Sequence, residues 1–259
     1  MQEPLDNLSE QQARQTAPSA HVVSVNLMMA TSVSAPTRFS ILRTHHPVGA
    51  STGYMYDLRG DWPAQVNQAW ELSPFAIELS ALAEEELDGL AGYLASRTGL
   101  PFRYLSVHGP SKGRTLPEPD LVARLKDLSA LVDGIVMHPD TIEDPAPYRA
   151  LGRKLVLENM DARKEDGRSV DELAGWFAGL PEAGFCFDIA HAWSIDETMV
   201  AGVELLDAFR SRLRHLHVSS LSPQLHHEPL TEEHEELFMP LLQRCLDVPW
   251  ILEAPPPES

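Results

Sequence analysis

The sequence predicts a single α/β domain closed as a (β/α)8 TIM barrel. Short apolar runs alternate with longer amphipathic segments from about residue 38 onward, the signature of parallel βα units. Eight such runs span about 220 residues, the number a closed barrel needs. No glycine-rich phosphate turn follows the first run, which argues against an open doubly wound sheet.

In chain order, residues 1–37 read as a polar leader and residues 38–259 as the barrel. Within the leader, Asn7 or Ser9 is placed to cap a short helix over residues 10–16, with a disordered tail as the alternative. The strand-like runs are Phe39–Leu42, Phe75–Leu79, Tyr104–His108, Gly134–His138, Lys154–Glu158, Phe185–Asp188, Leu213–Val218 and Trp250–Glu253. The helix-like segments are Pro63–Leu72, Glu84–Ser96, Asp120–Leu131, Val170–Leu180, Met199–Ser211 and Glu232–Leu246. Ser169 stands three residues before Glu172, and Thr231 directly precedes Glu232 and Glu233, both in the manner of helix N-caps. Only six residues follow Glu253, so the eighth helix is expected to be missing or replaced by the leader.

The 259 residues are 43% hydrophobic, enough for a large core. Lys and Arg number 20 against 38 Asp and Glu, a net charge of −18. That field repels polyphosphates, so DNA and anionic membranes are disfavoured as partners. No apolar run is long enough to span a bilayer, and the apolar stretch over residues 21–30 lacks the basic flank of a signal peptide. Two cysteines cannot build a disulfide framework, so a cytoplasmic location is expected. Cys186 reads as packing within its strand, and Glu78 as an ion-pairing residue at the end of the second run.

The informative pattern is what ends each strand. Leu105–Val107 runs into His108, and Ile135–Met137 into His138. Leu155–Leu157 ends in Glu158, Phe185–Phe187 in Asp188, and Trp250–Leu252 in Glu253. The seventh run carries His215 and His217, two apart and therefore on one face. His191 follows Asp188 at i+3, and His227 lies in the loop after the seventh run. In a barrel these residues ring the C-terminal mouth, where such folds build their sites. Imidazoles and carboxylates converging there suit Zn, Mn or Fe, and they are too many for one ion.

These motifs, V-H-G-P at His108, M-H-P-D at His138, L-E-N-M-D at Glu158, F-D-I-A-H at Asp188 and His191, H-L-H-V at His217 and I-L-E-A-P at Glu253, resemble those of the endonuclease IV and xylose isomerase-like barrels. The resemblance covers residues 38–254. It implies one metal on His108, His138 and Glu158, and a second on Glu158, Asp188, His217 and Glu253. A third would use His191 and His227, but the aspartate expected two residues before His227 is Leu225 here. Two or three divalent ions per chain follow, with Glu158 and Glu253 as catalytic carboxylates. The epimerase and isomerase branch needs only Glu158, Asp188, His217 and Glu253 around one ion, with the two glutamates moving protons. A third branch places iron there for oxidative chemistry.

Four cations fall in loops beside the motifs: Lys112, Arg114, Arg163 and Lys164. They are candidates to grip an anionic substrate, with loop salt bridges as the alternative. Trp193 is placed to wall the pocket, and His45 and His46 follow the first run, where substrate could meet them. The expected function is metal-dependent hydrolysis of a phosphoester or similar polar bond in a small polar or phosphorylated substrate. Sugar or sugar-phosphate isomerisation, oxidative iron chemistry and a non-catalytic metal- or ligand-binding barrel are the alternatives.

Overall fold

The computed structural model describes residues 46–97 and 99–256. Eight parallel strands close into a barrel: β1 Val48–Ser51, β2 Ala76–Ser80, β3 Tyr104–His108, β4 Gly134–Met137, β5 Leu155–Glu158, β6 Gly184–Asp188, β7 Leu213–Val218 and β8 Trp250–Leu252. Each strand pairs with its sequence neighbours, and β8 closes on β1 in the register Val48 to Trp250. The surrounding helices are α1 Trp62–Leu72, α2 Leu87–Ala95, α3 Glu118–Ser129, α4 Val170–Gly179, α5 Ile189–Ile195, α6 Val200–Phe209 and α7 Glu232–Leu242. The β4–β5 crossover is a 3₁₀ segment, Pro147–Lys154, kinked at Gly152 where φ is +52°.

The expected run Phe39–Leu42 and the leader lie outside the described residues. The strand that pairs with β2 and β8 is Val48–Ser51, a short Val-Gly-Ala-Ser stretch with no apolar run to announce it. Small residues are needed there: a Cβ on Gly49 would sit 2.5 Å from the Ala76 carbonyl oxygen. His46 therefore precedes β1 instead of following it. It lies at the opposite end from the mouth, its Nε2 2.8 Å from the Val248 carbonyl and its ring against Trp250. His45 lies outside the described residues. Among the described residues no helix follows β8, and none is long and apolar enough to cross a membrane.

Alternation along each strand separates structure from chemistry. Outward positions are apolar and pack under the helices. Phe185 and Phe187 of β6 are fully buried, and Phe185 meets Phe177 of α4 and Phe209 of α6 at ring separations of 6.2 and 5.6 Å. Each such side chain contributes roughly 1.5–3 kcal/mol by leaving water. Inward positions are mostly polar: Glu78, Ser106, His108, Glu158, Asp188, His215 and His217 are all buried, and Val136, Val156 and Cys186 form a small apolar cluster among them.

One irregularity decides which residues of β7 face inward. Phe185 pairs with Leu213, but Cys186 pairs with His215, so Arg214 has no partner. This bulge shifts the alternation by one residue. Without it Arg214 and Leu216 would point into the barrel; with it His215 and His217 do.

Candidate metal centre at the barrel mouth

The strand ends bring His108, His138 and Glu158 together as a triangle. His108 Nε2 is 3.1 Å from His138 Nε2 and 3.4 Å from Glu158 Oε2, and His138 Nε2 is 3.2 Å from the same oxygen. Ligands about 2.0–2.1 Å from a tetrahedral ion stand about 3.3 Å from one another, so the triangle has the edges of a metal site. Its tautomers suit the role. His108 Nδ1 lies 2.9 Å from the Gly109 carbonyl, which only accepts, so Nδ1 carries the proton and Nε2 keeps its lone pair.

A second group gathers ligand atoms of Glu158, Asp188, His217 and Glu253 within 4.8 Å of one another. His217 Nδ1 lies 3.2 Å from Glu158 Oε1 and 3.3 Å from Glu253 Oε1. Its other nitrogen faces Glu78 Oε1 at 3.0 Å, so the carboxylate behind the ring aims Nδ1 at the mouth. Asp188 divides its oxygens. Oδ1 caps α5 by accepting the His191 N–H at 2.7 Å, while Oδ2 is buried and has no hydrogen bond. Glu158 Oε2 and Glu253 Oε2 are likewise buried without a hydrogen-bond partner.

The third group is Asp188, His191 and His227. His191 Nδ1 donates to the Asn159 carbonyl at 2.9 Å, leaving Nε2 its lone pair. His227 is returned over the mouth by a two-residue antiparallel ladder, Ser220–Leu221 with His227–Glu228, and its Nδ1 meets Ser219 Oγ at 2.8 Å. Leu225, where a carboxylate was expected, sits in that return at φ +58° and supplies no ligand. The carboxylate of this group is Asp188, shared with the second.

Electrostatics point the same way. Burial pushes the Glu253 carboxyl well above the usual range; His217 opposes this, while Asp188 and Glu158 add to it by repulsion. Burial also pushes Glu158 up, but His217 and His138 pull it well below the ordinary value. Burial lowers His227 to about 4, leaving it neutral and able to ligate. Burial lowers His217 as well, but Cys186, Glu253, Glu78 and Glu158 around it raise it well above the usual value, so these buried carboxyl groups gather around positive charge at the mouth.

The loop cations are largely committed elsewhere. The Arg114 guanidinium donates to Glu84, Glu118 and the Thr141 carbonyl. Arg163 grips Asp161 through Nε at 3.0 Å and Nη2 at 2.6 Å, and Lys164 Nζ is 2.6 Å from Asp140. Among the described residues only Lys112 of these four is exposed without a side-chain ion pair. Trp193 packs on His234 of α7, ring centroids 4.4 Å apart, between helices.

Sequence reasoning missed three supports. Asn159, fully buried, locks the ends of β5 and β6 together: its Oδ1 accepts the Asp188 N–H and its Nδ2 donates to the Asp188 carbonyl, both at 2.8 Å. Glu84 anchors the loop after β3, accepting from Thr115 and from the Leu116 N–H. Tyr56, in the β1–α1 loop, is 70% exposed and offers the rim an aromatic face. Asn159 was legible in L-E-N-M-D; the other two had no signal without the strand placement. A 310 Å³ cavity lined by Arg153, Arg212 and Arg214 opens at the N-terminal ends of β6 and β7, away from this chemistry.

The chain matches no family profile and no curated protein. It does match the crystal structure of endonuclease IV from Thermus thermophilus, at 23% identity over 76% of this chain and 87% of that one, with a TM-score of 0.51. The barrel is endonuclease IV-like. A second solved structure, described as AsfvAP:AG, shares 12% identity over 69% of this chain and 78% of its own, at a TM-score of 0.47, and adds nothing to that assignment. On the endonuclease IV-like barrel, His/Glu/Asp clusters compatible with metal binding stand at the C-terminal mouth.

Proposed function

We propose that this protein is a metal-dependent hydrolase that cleaves a phosphoester, or a similarly polar bond, in a small substrate. The observation that carries the reading is the division of Glu158, whose Oε2 faces His108 and His138 while its Oε1 faces His217. One carboxylate thus joins two ligand groups, as a dinuclear centre requires. Zn, Mn or Fe ions so held would act as Lewis acids on the phosphoryl oxygens and lower the pKa of water toward ~7.

The chain's own residues do the rest. His108, His138 and Glu158 would hold one ion; Asp188, His217 and Glu253 would hold the second with Glu158; His191 and His227 with Asp188 are the candidate third set. Glu253 Oε2, 3.4 Å from His227 Nδ1 and otherwise unpartnered, is placed to accept the proton of an attacking water. Lys112 and the Tyr56 ring are the rim groups left to contact substrate. A mononuclear sugar isomerase would leave the His108–His138–Glu158 triangle without a role.

Within this reading duplex DNA is a poor substrate. The charge of −18 opposes a polyphosphate, and three of the four rim cations are held in ion pairs. Two free, buried cysteines suit a reducing compartment, so we place the protein in the cytoplasm. The test is a panel of phosphomonoesters, phosphodiesters and sugar phosphates given to metal-replete and chelator-stripped protein. Phosphoester cleavage lost on chelation and restored by metal supports the reading. Isomerisation without cleavage, or full metal content with no turnover on any panel member, contradicts it.

A further inference from the structure

Below the mouth the barrel carries another set of ligating atoms that none of the three mouth groups uses. Cys186 lies one inward position beneath Asp188 on β6, and His215 one beneath His217 on β7. The ligand atoms of Cys186, His215 and His217 lie within 4.8 Å of one another. From β2, Glu78 presents Oε2 at 3.4 Å from His215 Nε2 and Oε1 at 3.0 Å from His217 Nε2. All four side chains are fully buried.

Three atoms in this layer, Glu78 Oε1, His215 Nε2 and His217 Nε2, have no hydrogen-bond partner despite standing so close. Buried orphans are rare and costly, and three in one layer on facing strands leave a place for a shared partner. The other polar atoms of the layer already have partners. The Tyr104 hydroxyl, 2.7 Å from His215 Nδ1, can accept its proton and leave Nε2 the lone pair. Ser106 Oγ donates to Glu78 Oε2 at 2.8 Å, which leaves Oε1 open.

We propose that Cys186 Sγ, His215 Nε2, His217 Nε2 and Glu78 Oε1 form a closed, four-coordinate site for a divalent ion of the Zn class inside the barrel. The donor set, one thiolate, two imidazoles and one carboxylate, is that of a structural site with no open position. On binding, the Cys186 thiol and the His217 Nε2–H each release a proton to solvent. Thiolate, carboxylate and a doubly charged ion then sum to zero charge, apart from the shared ring, so the buried Glu78 no longer stands as an uncompensated anion. His217 becomes the link between layers, Nδ1 to the mouth and Nε2 to the interior. The interior site stands whether or not the mouth is hydrolytic.

The test uses full-length protein from cells grown with zinc, and in parallel with cobalt so that the ion enters during folding. X-ray absorption at the zinc edge should show a sulfur scatterer at about 2.3 Å. The cobalt protein should show a thiolate-to-cobalt charge-transfer band in the near ultraviolet. Cys186→Ser should abolish the band and lose one metal equivalent, Cys245→Ser should keep both, and His108→Ala should lose mouth metal while keeping the band. Zinc protein with no sulfur scatterer, or a Cys186→Ser variant retaining every metal equivalent, overturns the proposal and leaves the layer as a hydrogen-bonded support for His217.

Discussion

Glu158 Oε1 stands 3.2 Å from His217 Nδ1, while the other oxygen of the same carboxylate stands 3.2 Å from His138 Nε2. The two imidazoles come from β7 and from the residue after β4, three strands apart around the barrel. A side chain at the end of β5 reaches both because it sits between them in the ring of strands. Glu158 is buried to 1% exposure, so neither oxygen has water as a default partner.

His108 and His138 separate a polynuclear centre from a mononuclear one. His108→Ala and His138→Ala should each lose one metal equivalent by elemental analysis and lower phosphoester hydrolysis by at least about 100-fold. Unchanged metal content in both variants would return these histidines to a substrate-contact role.

Asn159 should matter through Asp188. Asn159→Ala leaves the buried Asp188 N–H and carbonyl without their side-chain partner, at roughly 2–4 kcal/mol of stability by denaturant unfolding. Metal affinity of the group containing Asp188 should fall about 10–100-fold, while that of the His108–His138 group changes little. A variant with unaltered affinity would show that Asp188 is held in place without Asn159.

Glu84 gives a pH-dependent term. Burial pushes its carboxyl up, but hydrogen bonds from Thr115, Leu116 and Arg114 bring it below the usual range. A carboxyl lower in the folded than in the unfolded chain contributes stability above its unfolded value, and loses it as pH falls through the folded value. Glu84→Gln should cost about 1–3 kcal/mol near pH 7, and the cost should shrink as pH falls through the lowered folded-state value. A loss that stays constant as pH falls would place the effect in packing instead of ionisation.

How much of this was legible in the sequence depends on burial. Seven strands could be placed because their outward residues, such as Phe185 and Phe187, must be apolar to pack under helices. β1 could not, because Gly49 and Ala50 are small for reasons set by the neighbouring backbone of β2. The candidate ligands were legible because a charged residue ending an apolar strand has few structural uses. His215 looked like mere spacing until the bulge at Arg214 set it facing Glu78, a relation between β2 and β7 that no local pattern encodes.

Duplex DNA containing an abasic site should be a poor substrate. Metal-replete protein at low salt, where electrostatic attraction is greatest, should fail to cut it at rates on the order of 1 per second. Multiple-turnover incision at that rate would show that the Tyr56 loop and Lys112 outweigh the acidic surface.

Glu158→Ala tests the central claim most directly. Metal equivalents per chain are counted in wild type and variant after dialysis against metal-free buffer. If Glu158 bridges two ions, the variant should lose two equivalents together. Loss of one, or of none, would contradict the bridge and with it the dinuclear centre.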